Sequence, residues 1–148
     1  MIKTGLFIAA LAALSAGCAG TTADRDVLTL RLGAGHHNAG AIAQASLVGQ
    51  GGNTDITYQI GGVPVGMSRP LQLYTFIYTG TCAQLSAEPA YSMNNTTQAM
   101  PTETGWRLSK MAPVALAELT SSPHALIVRS SPADGNIELF CGNIREHD

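Results

Sequence analysis

Along much of the chain apolar and polar residues alternate with a period of two. Leu28, Leu30 and Leu32 alternate with Thr29 and Arg31. Ala43, Ala45 and Leu47 alternate with Gln44 and Ser46, and Ile56, Tyr58 and Ile60 with Thr57 and Gln59. That is the period of a strand with one face buried. These stretches predict three half-buried strands, the last two joined by a hairpin through Gly49-Gln50-Gly51-Gly52-Asn53. Gly61-Gly62 and Pro64 punctuate the chain before a further strand from Leu71 to Tyr78. Short strands are expected around Val114 to Leu116, Ala125 to Arg129 and Ile137 to Cys141, the last two flanking a turn-rich run from Ser131 to Asn136. From Cys82 to about Lys110 the alternation fades, and Pro89, Asn94-Asn95 and Pro101 predict one long ordered loop, a kind that usually carries function or covers something. Six or seven short strands, no useful helical period and no internal repeat predict an all-β sandwich or barrel.

The first residues follow a different pattern. Lys3 precedes an uncharged apolar stretch from Leu6 to Leu14 and the small residues Ser15-Ala16-Gly17, the layout of a bacterial secretory signal peptide. Cys18 directly after them makes a lipobox-like site, where the thiol takes a diacylglycerol and becomes the first residue of the mature chain. The stretch is far shorter than the ~20 residues that cross a bilayer as a helix, so the expectation is an anchored protein, not a spanning one. Ordinary cleavage near Gly17 or Ala19, leaving a soluble periplasmic protein, is the alternative. Ala19 after the cysteine, where Asp is absent, resembles the outer-membrane sorting pattern of such lipoproteins. The expected organisation is a signal peptide over 1–17, a lipidated tether over 18–25 and a single β domain over 26–148.

Composition narrows the function classes. With 45% hydrophobic residues the chain is not disordered. A formal net charge of -2 and the lack of any basic run exclude a nucleic-acid footprint. Of the three cysteines, lipidation uses Cys18 and leaves Cys82 and Cys141 as a pair in an oxidising compartment. In the chain-entropy model a bridge over a loop that long is worth about 4 kcal/mol. The same two cysteines lack the close-spaced partners of a metal site.

Three segments resemble the copper/zinc superoxide dismutase-like β-sandwich, especially its small bacterial relatives. They are Arg69-Pro70-Leu71 through Phe76-Ile77-Tyr78-Thr79-Gly80-Thr81-Cys82, then Ala125-Leu126-Ile127-Val128-Arg129-Ser130-Ser131-Pro132-Ala133-Asp134, then Glu138-Leu139-Phe140-Cys141-Gly142-Asn143-Ile144. They resemble the family's His-x-His strand with its first disulfide cysteine, its Val-His-Lys/Glu strand with the acidic turn after it, and its closing Arg-x-x-Cys-Gly strand. The resemblance implies a Greek-key sandwich or barrel with one disulfide. It also shows what has been replaced. Phe76 and Tyr78 stand where the family has its paired histidines, Arg129 where it has a copper-binding histidine, and Glu138 where it has the arginine that guides superoxide. Copper needs imidazoles to bind and cycle, and a reversed guiding charge repels an anion. No cofactor and no superoxide dismutase activity are expected.

The candidate site is what occupies that vacated face. Leu71, Leu73 and Ile77 share one side of their strand and suit the core. Tyr74, Phe76 and Tyr78 share the other, and Arg129 should approach them from a neighbouring strand. A guanidinium over an aromatic ring contributes ~0.5–2 kcal/mol. Either the 83–110 loop folds over these aromatics as a satellite core, or they stay partly exposed as a recognition patch. The expected function is a non-catalytic, membrane-anchored envelope module that presents this face, or the long loop, to an unknown envelope protein or small ligand. The competing reading is periplasmic metal handling or redox chemistry through His36, His37 and the methionines Met67, Met93, Met100 and Met111. An enzyme of other chemistry has no residue in its favour: Ser130-Ser131 has no His/Asp pattern beside it, His124 and His147 have no ligand-type neighbour, and Trp106 reads as core.

Overall fold

The computed structural model describes residues 26–145, and its backbone keeps the two-residue period wherever the side chains alternate. The expected signal peptide, the Cys18 lipidation site, the tether and His147 lie outside the described residues. In chain order the strands are β1 (Val27–Ala34), β2 (Ala43–Gln50), β3 (Asn53–Ile60), β4 (Leu73–Thr81), β5 (Gln84–Leu85), β6 (Tyr91–Ser92), β7 (Met100–Thr102), β8 (Gly105–Ala112), β9 (His124–Ser130) and β10 (Glu138–Ile144). One helix of six residues, α1 (Leu116–Ser121), lies between β8 and β9. All pairings are antiparallel. One layer runs β1-β2-β3-β8-β7, and the other has β4, β9 and β10, with β5 and β6 on the far edge of β4. The layers join at one corner, where Gly33 and Ala34 pair with Cys141 and Phe140.

Each layer turns its alternating apolar side inward. Leu28, Leu30, Leu47, Ile56 and Leu108 from the first meet Leu73, Ile77, Leu126, Val128 and Phe140 from the second in one core cluster. Glycine permits the close approach at the joining corner: a Cβ on Gly35 would collide with the Glu138 carbonyl, and one on Gly142 with Leu32. A register shift between Glu138 and Phe140 lets Leu139 and Phe140, adjacent in sequence, both be fully buried. The predicted hairpin forms with Gln50 opposite Asn53 and Gly51 at positive φ.

Cys82, just past β4, is bonded to Cys141 on β10 across a Cα separation of 5.9 Å. Tyr58 is fully buried; its hydroxyl, near Thr75, has no hydrogen-bond partner, and burial pushes its pKa well above the ordinary tyrosine value.

Two expectations are corrected. The region from Cys82 to Lys110 is not one loop: it carries β5, β6, β7 and all of β8 down to Lys110. Nor is there a strand at Val114 to Leu116. Leu116 and Leu119, three apart and both buried, form the inner side of α1 instead, and Thr54 donates its hydroxyl to the Val114 carbonyl at 2.8 Å to hold the bend before it.

Candidate functional site

The outer face of the second layer is three rows of side chains fixed by strand register. Tyr74, Arg129 and Glu138 form one row across β4, β9 and β10. Phe76, Ile127 and Cys141 form the next, and Tyr78, Ala125 and Asn143 the third. The four residues predicted to share a face do share it. Tyr74, Phe76, Tyr78 and Arg129 are all half-buried. Ile127 and Ala125 point the same way yet are fully buried, flanked by the aromatic rings on one side and by Cys141 and Asn143 on the other. Burying both faces of β9 explains its continuous apolar run Ala125-Leu126-Ile127-Val128.

Within the face, the Phe76 and Tyr78 rings lie 6.2 Å apart and tilted by 58°, in the range of favourable aromatic pairs. Arg129 stands between Tyr74 and Glu138, and its Nε is buried with no hydrogen-bond partner. The cation–π contact seen among the described residues lies elsewhere: the Arg69 guanidinium sits 5.1 Å from the Trp106 ring centre. Trp106 itself packs against the core, half-buried.

The segment after β5 does not fold over the aromatics. It runs beside β4 in the plane of the layer. Ala90 N–H donates to the Ile77 carbonyl at 2.8 Å, Met93 N–H to Thr75 at 3.1 Å, and Ala99 N–H to Leu71 at 2.9 Å. In return Leu73 N–H donates to Thr97 and Thr75 N–H to the Asn94 side-chain oxygen, both at 2.8 Å. Met93 and Ala99 drop into the core. Edge pairing of this kind covers an otherwise open strand.

The other candidates are scattered. His36 and His37 occupy a single exposed turn with their rings 5.3 Å apart, edge to face. Met93 is buried and Met67 packs against the core, while Met100 and Met111 are exposed. His124 places Nδ1 3.1 Å from the Leu119 carbonyl and 3.0 Å from that of Ser122, closing the end of α1. Among the described residues no three His, Cys, Asp or Glu side chains converge. The phenyl, phenol and guanidinium groups of this face supply none of the imidazoles that a copper site uses.

Two features escaped the sequence reading. Lys110 points inward from β8 between Leu108 and Ala112, opposite Ile56, and its ammonium donates to the Thr96 carbonyl. It lines a cleft of about 650 Å³ with Ser92, Asn95 and Thr96, and burial lowers its pKa. The signal was a lone lysine at an alternating apolar position. The second is a clamp between loops: Asp134 accepts from Ser68 N–H at 2.9 Å and from Ser68 Oγ at 2.7 Å. These bonds, Ser131 and the nearby Arg69 hold its carboxyl below the usual range.

Searches against family models, curated proteins and solved structures find nothing that matches this chain.

Proposed function

We propose that this chain is a periplasm-facing envelope lipoprotein, anchored through Cys18, whose superoxide dismutase-like sandwich binds a partner and does not catalyse. The Greek-key part of the reading is supported by β10, which lies beside β1 ahead of β2 and β3. The disulfide from the end of β4 to the last strand supports it too. The observation that carries the functional part is the row Tyr74–Arg129–Glu138 beside Phe76 and Tyr78. It is a half-exposed aromatic and charged face with an unsatisfied buried Nε, at the place where the resembling family holds its metal. Aromatic and arginine side chains together are the usual anchors of protein recognition.

Site-specific photocrosslinking tests the face. A benzophenone amino acid at Phe76 should capture one envelope component in living cells, while the same probe at the exposed Gln50 captures none. No adduct at Phe76, or the same adducts at both sites, overturns the binding reading. Radiolabelled palmitate incorporation, lost in Cys18→Ser, tests the anchor. Stoichiometric copper or zinc in purified, refolded protein would favour metal handling through His36 and His37 instead.

A further inference from the structure

The outer face of the first layer has an organisation of its own. Register places Val27, Val48, Asp55 and Met111 in one row, Thr29, Ser46, Thr57 and Ser109 in the next, and Arg31, Gln44, Gln59, Arg107 and Met100 in a third. Five large apolar side chains are exposed among the described residues, and four of them frame these rows: Val27 at 59%, Met111 at 58%, Met100 at 62% and Ile42 at 75%. Ile42 joins them because it continues the alternation of Gln44 and Ser46 one step before β2. Four hydroxyls, two amides and two guanidinium groups lie inside that frame. The carboxylate within the three rows is Asp55, with Glu103 in the turn between β7 and β8.

Four of the five exposed large apolar side chains among the described residues thus stand on one side of the sandwich, at the margins of a face that carries two arginines. The arrangement suits a surface that is apolar underneath and carries phosphates on top. Methionine, valine and isoleucine side chains reach the acyl boundary, arginines pair with phosphate oxygens through two parallel N–H donors, and hydroxyls and amides serve the ester and glycerol oxygens. Asp55 suits the ammonium of a zwitterionic headgroup. The chain before the domain points to the same occupant. Residues 18–25 span at most about 28 Å when fully extended, and they lead directly into Val27, which stands on the rim of this face.

We propose that the outer face of β1, β2, β3 and β8 lies on the phospholipid surface, with Arg31 and Arg107 on headgroup phosphates and Val27, Ile42, Met100 and Met111 at the acyl boundary. The proposal rests on the Cys18 anchor proposed above. It excludes a free-swinging domain and fixes which side of the sandwich is covered.

The methionines are built-in probes. Full-length acylated chain in phosphatidylethanolamine–phosphatidylglycerol vesicles is treated with dilute peroxide beside the soluble Cys18→Ser chain, and each methionine is read by mass spectrometry. Met100 and Met111 should oxidise at least about fivefold more slowly on vesicles, the factor given by a docking free energy of about 1 kcal/mol. Met93, buried in the core, should be slow in both. Arg31→Glu with Arg107→Glu, still acylated and still on the vesicles, should lose the protection. Equal oxidation of Met100 and Met111 in acylated and soluble chain overturns the proposal, as does protection that survives the charge reversal. Concentration-dependent protection in the soluble chain overturns it in favour of a contact between copies. A chain that carries no lipid and never sediments with vesicles removes the anchor itself, a separate failure recognised by the missing acyl mass.

Discussion

Replacing Lys110 with methionine should make the domain more stable. The lysine stands on the inward side of β8, and its ammonium, with three donors, reaches one acceptor, the Thr96 carbonyl. Its lowered pKa means that loss of water outweighs that bond, because the folded environment favours the neutral amine. Thr96 is exposed, so its carbonyl takes up water once the lysine is gone. Methionine has a similar unbranched reach and fills irregular space. Exchanging buried charges for apolar side chains of like volume adds about 1–4 kcal/mol in favourable cases. A single charge at the mouth of a cleft belongs at the low end, near 1 kcal/mol, which raises the melting temperature by roughly 4 °C in a domain of this size. The pH dependence is a second, independent readout. The folded-state pKa lies below the ordinary value of 10.5, so between the two the unfolded chain binds more protons and native stability rises with pH. The slope there is at most about 1.4 kcal/mol per pH unit. Lys110→Met should abolish that rise. Urea unfolding followed by the fluorescence of the single tryptophan, Trp106, measures both effects, in a Cys18→Ser background that avoids thiol exchange. A variant that is less stable at pH 7 would show that the Thr96 bond exceeds the desolvation cost, and one that keeps the alkaline rise would assign that rise to another group; either result refutes the reasoning.

Tyr58→Phe removes a buried hydroxyl without a partner and should be neutral or up to about 1 kcal/mol stabilising. Because the folded-state pKa of Tyr58 is raised, its contribution is intact below pH 10 and is lost as pH climbs above it; the phenylalanine variant should lose less stability between pH 10 and 11. Replacing Cys82 and Cys141 together with alanine should cost about 4 kcal/mol in urea unfolding, from the 59-residue loop they close, and a loss under about 1 kcal/mol would mean that the reduced chain is already constrained. Tyr74→Ala and Arg129→Ala, directly opposite on β4 and β9, should show a coupling of at least about 0.5 kcal/mol in a double-mutant cycle, and strictly additive losses would show that the row is not an energetic unit.

Where both local pattern and burial pointed the same way, the sequence was legible. β1, β2 and β3 follow alternations visible without coordinates, because a strand with one wet side must write its period into the chain, while β4 and β9 stand out as short apolar and aromatic runs bounded by turn residues. β8 was hidden by one residue: Lys110 occupies a position whose neighbours in the alternation, Leu108 and Ala112, face the core, so an inward cation read as the end of a loop. The bend at Val114 misled for a related reason, since the buried pair Leu116 and Leu119 fits a helix turn only once the next strand is placed at His124. The short strands β5, β6 and β7 carry two or three residues each, too few to show any period. They exist because β4 and β8 present open edges, which is tertiary information. At the site, one strand's parity was enough to put Tyr74, Phe76 and Tyr78 on a common side. The expected stacking of Arg129 on a ring is not seen among the described residues, because stacking depends on where a long side chain turns after it leaves the sheet.

The two outer faces of the sandwich are built differently, and the packing shows how each is held. In the second layer β4 is held on one edge by β9 and on the other by the 90–99 segment, and its end is tied to β10 through Cys82 and Cys141. Backbone and covalent bonds therefore fix that layer, and the outward side chains need only shield Ile127 and Ala125. Phe76 and Tyr78 flank those two, and Tyr74, Arg129 and Glu138 stand in the next row, beyond them. Facing layers lie ~10 Å apart, and their outer sides point in opposite directions. In the proposed docking of β1, β2, β3 and β8 on the bilayer, the aromatic–arginine face would be turned away from the lipid, toward the aqueous compartment. The same docking would place β10, beside β1 at the joining corner, at the boundary between the two environments, so Glu138 is the member of the Tyr74–Arg129–Glu138 row closest to the corner and Tyr74, two strands away, the farthest from it.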